Sequence, residues 1–497
     1  MIPHLGLFSL RCLRHSKQFT VKFKIPIVSS RWLSTRENWS TPLAKQLSEA
    51  ITTTGPISLA AFMRMCLTSD LDGYYSSKQP TRDVFGKKGD FVTSPEISQI
   101  FGELIGIWFA TEWMAQGRQR KGVQMIEIGP GMGTLMDDIL RTIENFKAIK
   151  SSIDAIYLVE VSPSLREAQK KLLCGDAPMV EISIGYESLC KRMNIPVIWT
   201  DNLRFVPSSL DSVPFIVAHE FFDALPIHAF QPLLPSNPIK ESIQTPTGNH
   251  RITSTAAKAL QAPQWRELVV SPVSPDLENP SASVNNSSNG FADEFQLTIS
   301  QKSTSQSNFL PEMSQRYRTL KSDANTVLEI SPESLVYAQE IAKRIGGTSN
   351  SPRSSPSGAA LILDYGPQDS VPQNSLRGIY RHERVSPFTR PGLVDLSADV
   401  DFAALAEAAL AASPGIEIHG PVEQGFFLMA MGIRERAKML SDGIPSHQIE
   451  KQKHVEIAWK RLVDQGENGM GRIYKAMAIV PENGGMRKPV GFGGDVA

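Results

Sequence analysis

The sequence predicts an α/β fold with an open, largely parallel sheet, and three observations predict it. Val123 to Ile128 is a short apolar run with a carboxylate near its end, and Gly129, Gly131 and Gly133 follow at alternate positions. Leu135, Ile139, Leu140, Ile143 and Phe146 then recur at helical spacing, so the segment reads as strand, turn and helix. Ile156 to Glu160, Ile195 to Trp199 and Val213 to Ala218 are further short apolar strands, with the first two separated by a helical pattern.

The turn itself carries chemistry. Glycines tolerate φ > 0 and let a ligand come close to the backbone, while free N–H groups at a helix start favour electron-rich groups. The dinucleotide fingerprint G-x-G-x-x-G would need its third glycine at 134, where Thr134 stands; the sequence reads E-x-G-x-G-x-G from Glu127. A carboxylate at the strand end repels a pyrophosphate and suits a ligand with an ammonium and hydroxyls. Glu160 ends the second strand, where an open α/β sheet holds ribose hydroxyls. Together these look like the nucleotide site of a class I S-adenosylmethionine (SAM) methyltransferase. The plain structural alternative is a glycine turn that only packs helix on strand.

In chain order, residues 1–36 contain seven basic residues and no acid, with apolar residues interspersed, the composition of a mitochondrial transit peptide. Arg31-Trp32-Leu33 resembles a matrix processing site, so the expected location is the mitochondrial matrix. A cut after Leu33 removes six basic residues, and 51 − 6 = 45 Lys and Arg against 51 acids leaves −6, which argues against nucleic acid as the main partner. Cys12, Cys66, Cys174 and Cys190 show neither C-x-x-C spacing nor a nearby His pair, so neither a disulfide framework nor a metal site is expected. No apolar run reaches the ~18 residues a membrane span needs.

Residues 40–118 form an N-terminal helical lobe: one helix from Leu43 to Gly55, a second over Leu59 to Leu67, and a third opened by Thr93-Ser94-Pro95-Glu96 with capping-box spacing. That helix start either only caps or also roofs the SAM pocket. The SAM-binding Rossmann-like core spans 119–232. Residues after its third strand lie over the adenine in this topology, which makes Trp199, Asp201 and Asn202 contact candidates, with Trp199 read as core ahead of a stacking partner. The fourth strand runs into His219-Glu220-Phe221-Phe222-Asp223, whose paired acids could grip a cationic substrate.

Five blocks in order resemble one family. They are Gly89-Asp90-Phe91-Val92-Thr93-Ser94-Pro95-Glu96-Ile97, Glu127-Ile128-Gly129-Pro130-Gly131-Met132-Gly133, His219 to Pro226, Leu363-Asp364-Tyr365-Gly366, and Gly392 to Phe402. The chain is similar to the MidA-like family of mitochondrial complex I assembly factors acting as protein arginine methyltransferases, over roughly residues 40 to 435. The resemblance implies a type II enzyme that makes symmetric dimethylarginine on the quinone-site core subunit of complex I's matrix arm, early in assembly. It implies a class I SAM-dependent methyltransferase fold with a β-hairpin and helix insertion. SAM contacts are then expected at Glu127, Gly129, Gly131, Gly133, Glu160, Asp201 and Asn202. An arginine guanidinium, always charged, needs carboxylates to orient it, so Glu220 and Asp223 are expected to bind it. His219 is expected as a proton acceptor or a supporting neighbour.

Residues 233–358 are read as the insertion, with hairpin arms at Gln264 to Val270 and Glu294 to Ile299. Two loose polar loops fall in it, Ser271 to Gly290 and Gly346 to Gly358. Residues 359–483 complete the methyltransferase domain, with Asp399 expected to cap the helix Phe402 to Ala412, and 484–497 is expected to be a flexible tail. Two other functions stay open. One is a non-catalytic complex I chaperone that retains the SAM site. The other is a nicotinamide oxidoreductase, against which stand Thr134 and the 27-residue interval from Gly133 to Glu160, longer than the usual ~20.

Overall fold

A computed structural model describes residues 39–70, 72–76, 92–233, 242–245, 248–251, 262–273 and 291–493. The basic presequence, Gly89 to Phe91 of the first block, and most of the Ser/Asn/Pro-rich loop before Gly290 lie outside the described residues.

The main sheet has nine strands: β1 Val123–Ile128, β2 Ile153–Val159, β3 Val180–Ile182, β4 Gly185–Leu189, β5 Pro196–Thr200, β6 Val213–His219, β7 Ala359–Tyr365, β8 Ile416–Glu423 and β9 Tyr474–Pro481. They lie side by side in the order β8-β9-β7-β6-β1-β2-β5-β4-β3. The five in the middle, β7 to β5, pair in parallel, while β9 pairs antiparallel with both β7 and β8. Seven strands therefore make the expected class I sheet, and β4 and β3 extend it by an antiparallel ribbon that the sequence reading did not anticipate. The central strands are buried on both faces, as near-continuous apolar runs require.

One face is covered by α3 Gln99–Ala115 and α4 Thr134–Ile143, with Trp108, Phe109 and Ile139 inaccessible to solvent. The other is covered by α6 Pro332–Gly346 and α7 Phe402–Ala412. Two earlier helices, α1 Pro42–Thr54 and α2 Leu59–Thr68, pack instead on a second, antiparallel sheet. That sheet contains the hairpin arms Gln264–Pro272 and Phe295–Ile299, paired from Leu268 with Ile299 to Pro272 with Phe295, beside His228–Leu233, Leu328–Ile330 and the two residues Ile57–Ser58. Helix α5, Pro163–Cys174, bridges β2 and the edge ribbon.

Several local expectations are corrected. Thr93 makes no cap bond: Ser94–Ile97 is a single turn that breaks at Ser98, whose hydroxyl accepts from the Ile100 N–H (3.3 Å) and starts α3 afresh. Two cap-forming residues compete here, and Pro95 already occupies the first turn. Asp401 caps α7 through the Ala404 N–H (3.0 Å), while Asp399 is held by Arg377 at 2.7 Å. The loop 346–358 is not loose. Gly347–Thr348 pairs with Ser351–Pro352, and the buried Arg353 guanidinium donates to the carbonyls of Ser209 (3.1 Å) and Leu210 (2.6 Å). The glycine-rich tail also docks as far as residue 493: Phe492 is buried against Trp108 and Phe427, and Arg487 forks onto Glu112 at 2.8 and 2.6 Å.

Candidate functional site

Four adjacent parallel strands, β2, β1, β6 and β7, end side by side, and each ends in or beside an acid: Glu160, Glu127, Glu220 and Asp364. A cleft of about 590 Å³ opens over these ends. Glu127, Gly129, Gly131, Glu160, Asp201, Asn202, His219, Glu220 and Asp223 all line it.

The glycine turn forms one wall. Gly129, Gly131 and Gly133 have φ of 69°, 52° and 82°, in the left-handed region that side chains resist. A Cβ on Gly129 would meet the Phe221 ring at 2.8 Å. Gly133 stands one step back, ahead of α4 and against Gln169, and is not among the residues that line the cleft. Gln169 ties the wall together: its Nε2 donates to the Gly131 carbonyl (2.7 Å) and to Glu160 (3.1 Å), and its Oε1 accepts from the Trp199 indole (2.9 Å). Trp199 is therefore core, as expected. Gln169 itself was missed, although a glutamine on an apolar helix face is the mark of a buried polar group that must have partners.

The acids at this end are starved of solvent. Burial and the neighbouring Glu160 charge push the Glu127 carboxyl well above its ordinary range, and its Oε2 has no hydrogen-bond partner. Burial raises Glu160 to about 7, against the pull of the Ser162 N–H and the Gln169 amide. An unpartnered buried oxygen beside a glycine cradle fits SAM: Glu127 would hold its ammonium and Glu160 its ribose hydroxyls. Asp201 and Asn202 contribute to the rim, but their side chains are engaged locally. Asp201 meets Arg166 at 3.1 Å, and Asn202 Oδ1 accepts from the Arg204 N–H at 3.0 Å.

The other wall is the segment after β6. Glu220 has φ of 49°, a conformation that costs a non-glycine residue energy and turns the chain sharply out of the strand. Phe222–Ala224 then makes one 3-10 turn. Asp364 holds that turn: its Oδ2 accepts from the N–H groups of Phe221 (3.2 Å), Phe222 (2.9 Å) and Asp223 (3.4 Å), and its Oδ1 from Tyr365 (2.9 Å). The Tyr365 hydroxyl donates to Asp223 Oδ2, and the Arg377 guanidinium lies 4.5 Å over the Tyr365 ring. Asp223 Oδ1 and Glu220 Oε1 are left buried and unpartnered, beside the cleft.

Burial and the charge of Asp223 raise Glu220 to about 8, and burial raises Asp223 as well. His219, packed 5.0 Å from the Phe101 ring, is lowered by burial to about 3. Its Nε2 lies 3.5 Å from Glu220 Oε1, but near neutral pH the imidazole is uncharged and the two form no ion pair. Two cationic ligands, or one elongated ligand with cationic groups along it, would relieve these crowded carboxylates. Thr93 and Glu96 line the same cleft, so the turn ahead of α3 roofs it.

Comparison with known proteins gives a consistent picture. A model of the family described as "Putative S-adenosyl-L-methionine-dependent methyltransferase" matches residues 104–422. The rat protein named protein arginine methyltransferase NDUFAF7, mitochondrial, is 36% identical over 419 residues, covering 83% of this chain and 79% of its own. The human protein of that name is 34% identical, with 90% and 85% covered. The Drosophila melanogaster homologue is 32% identical, with 93% and 90% covered. Among solved structures, a Burkholderia thailandensis protein bound to S-adenosyl-homocysteine aligns with a TM-score of 0.59 at 21% identity, over 91% of this chain and 93% of that one, and shows the shared fold.

Proposed function

Since the chain belongs to the family of S-adenosyl-L-methionine-dependent methyltransferases that includes mitochondrial NDUFAF7, we propose that it methylates arginine in a protein substrate. It is a mitochondrial methyltransferase that uses SAM. The observation that carries the arginine reading is the pair of buried, unpartnered carboxylate oxygens, Asp223 Oδ1 and Glu220 Oε1, on the wall facing the glycine turn.

A guanidinium delocalises its lone pair and is a poor nucleophile, so its enzyme must orient it and draw its charge to one side. Asp223 offers a single oxygen, because Tyr365 occupies the other. Glu220 offers a second. An entering guanidinium supplies the opposite charge that burial denies these acids and lowers both, so binding releases protons near pH 8. Bound SAM supplies an electrophilic methyl group. As a guanidinium nitrogen takes up that methyl it must shed a proton, and Glu220, left deprotonated by the bound guanidinium, is the acceptor. His219 at about 3 is too weak a base for this and serves as a neutral neighbour of Glu220.

Symmetric dimethylation, hence a type II enzyme, is part of the proposal, as are the matrix-arm quinone-site subunit of complex I as substrate and a role in assembly. The relatives' names support arginine chemistry and a mitochondrial setting. The test uses labelled SAM with arginine peptides and with matrix extract. Asp223→Asn and Glu220→Gln should bind SAM within about twofold of wild type and transfer methyl at least ~100-fold more slowly. Normal transfer by both variants removes these acids from the reaction.

A further inference from the structure

Beside the cleft lies a second hollow of about 470 Å³, and the two share Arg64, Pro226 and Glu333 on their rims. Nothing in it comes from the main sheet. Ala60 and Arg64 belong to α2, His228 to the second sheet, Phe309 and Leu310 to a short helical segment of the insertion, and Glu333 to the start of α6. Apart from Glu333, whose helix packs on the main sheet, these parts are added to the nucleotide-binding core, and additions of this kind are where folds acquire their particular partners.

The hollow is preset. Thr304 and Ser307 form a reciprocal cap at the start of Ser305–Phe309, and the Thr304 hydroxyl also donates to Glu267 Oε2 (2.5 Å). The other Glu267 oxygen meets His228 Nδ1 at 2.7 Å. Leu310 is anchored in a buried cluster with Phe230 and Trp265, whereas Phe309, next to it, is 64% exposed. A rigidly mounted, exposed aromatic ring loses little freedom when something covers it, which is how binding anchors work. Between hollow and cleft stands the Arg64–Glu333 ion pair, and both of its partners are exposed enough that parting them costs little.

We propose that this hollow receives the polypeptide beside the target arginine, with a bulky apolar side chain of that segment lying on Phe309. The proposal rests on the arginine reading above. A side chain that reaches Glu220 and Asp223 brings its backbone to the cleft mouth, and the hollow continues from that mouth past Arg64 and Glu333. Ala60, Pro226, Phe309 and Leu310 line the hollow beside polar side chains, and the exposed Phe309 ring among them is what favours an apolar neighbour.

The test uses fluorescein-labelled peptides with one arginine among glycines, either alone or with a leucine at successive distances from the arginine. With the full protein and SAM, one leucine position should improve affinity about tenfold and lower KM without raising kcat. Phe309→Ser, at an exposed site, should abolish that advantage and leave SAM affinity unchanged. No leucine preference, or a preference that survives Phe309→Ser, overturns the proposal; so does a change of sedimentation in Phe309→Ser with peptide affinity intact, which would mark a self-association face. If the leucine peptide binds through Phe309 but receives no methyl group, the arginine reading fails and the hollow stands as a peptide site. Equal affinity and equal methylation of all peptides sinks the hollow alone.

Discussion

Glu220 shows at the scale of one residue how the site is paid for: it sits at φ 49° with a buried, unpartnered oxygen, and both features cost stability. Such a residue persists because its surroundings hold it, and its use lies in aiming a carboxylate across the cleft. On the opposite wall, Gly131→Val forces a branched side chain to φ 52° where the backbone lines the cleft. We expect SAM binding to be lost by calorimetry with the far-UV circular dichroism unchanged; a folded variant with normal affinity removes the loop from the site. Glu160→Ala should weaken SAM binding by about 1.5 to 3 kcal/mol for each charged hydrogen bond lost. It also strips Gln169 of a partner, so a small loss of thermal stability should accompany it. A shift of preference to NAD would instead favour an oxidoreductase.

At the scale of elements, the site is made by strand ends and by the turns that leave them. Glu127, Glu160 and the His219 to Asp223 block were legible because an acid closing an apolar strand is conspicuous. Asp364 carries the same mark at the end of β7, yet its role could not be read: what it holds, the amides of residues 221 to 223, lies more than 140 residues away in sequence. Asp364→Asn replaces an acceptor with a donor facing N–H groups. The expected result is a loss of about 1 to 3 kcal/mol of stability, SAM affinity within about twofold, and methyl transfer at least ~10-fold slower because Asp223 is no longer held in place. Chemical denaturation and labelled-SAM turnover check this, and full turnover would show that the turn holds itself. The caps were misassigned for a related reason. Thr93 against Ser98, and Asp399 against Asp401, are pairs of good capping residues, and the winner is decided by what the other meets in space, such as Arg377 at Asp399.

At the scale of the whole molecule, the concentration of buried acids at one end of the sheet makes stability depend on pH. Glu160 at about 7 and Glu220 at about 8 both lie above the ordinary value of 4.5, and burial raises Glu127, Asp223 and Asp364 too. Between roughly pH 4.5 and 8 the unfolded chain gives up these protons and the folded protein retains them, so this contribution is complete below 4.5 and is lost as pH rises through 7 and 8. One pKa unit corresponds to about 1.4 kcal/mol. The melting temperature of the ligand-free protein should therefore fall from pH 6 to 8.5, SAM should raise it more at the upper end, and Glu220→Gln should flatten the slope. A slope that Glu220→Gln leaves unchanged would place the titration elsewhere.

The sequence by itself determined the α/β class, the strand-turn-helix whose glycine turn lines the cleft, the acids closing β1 and β2, the hairpin arms and the segment that carries Glu220 and Asp223. Those features are local: apolar period, glycine spacing and a charge at a strand end are all written within about ten residues. Only the tertiary structure decided that the tail to residue 493 docks on Trp108, that the loop at 346–358 is pinned by Arg353, and that Asp364, Tyr365 and Gln169 hold the site residues in place. The physical reason is the same in each case. A short polar or glycine-rich stretch has no periodicity of its own, and the few buried contacts that order it are made with partners the chain brings together only on folding.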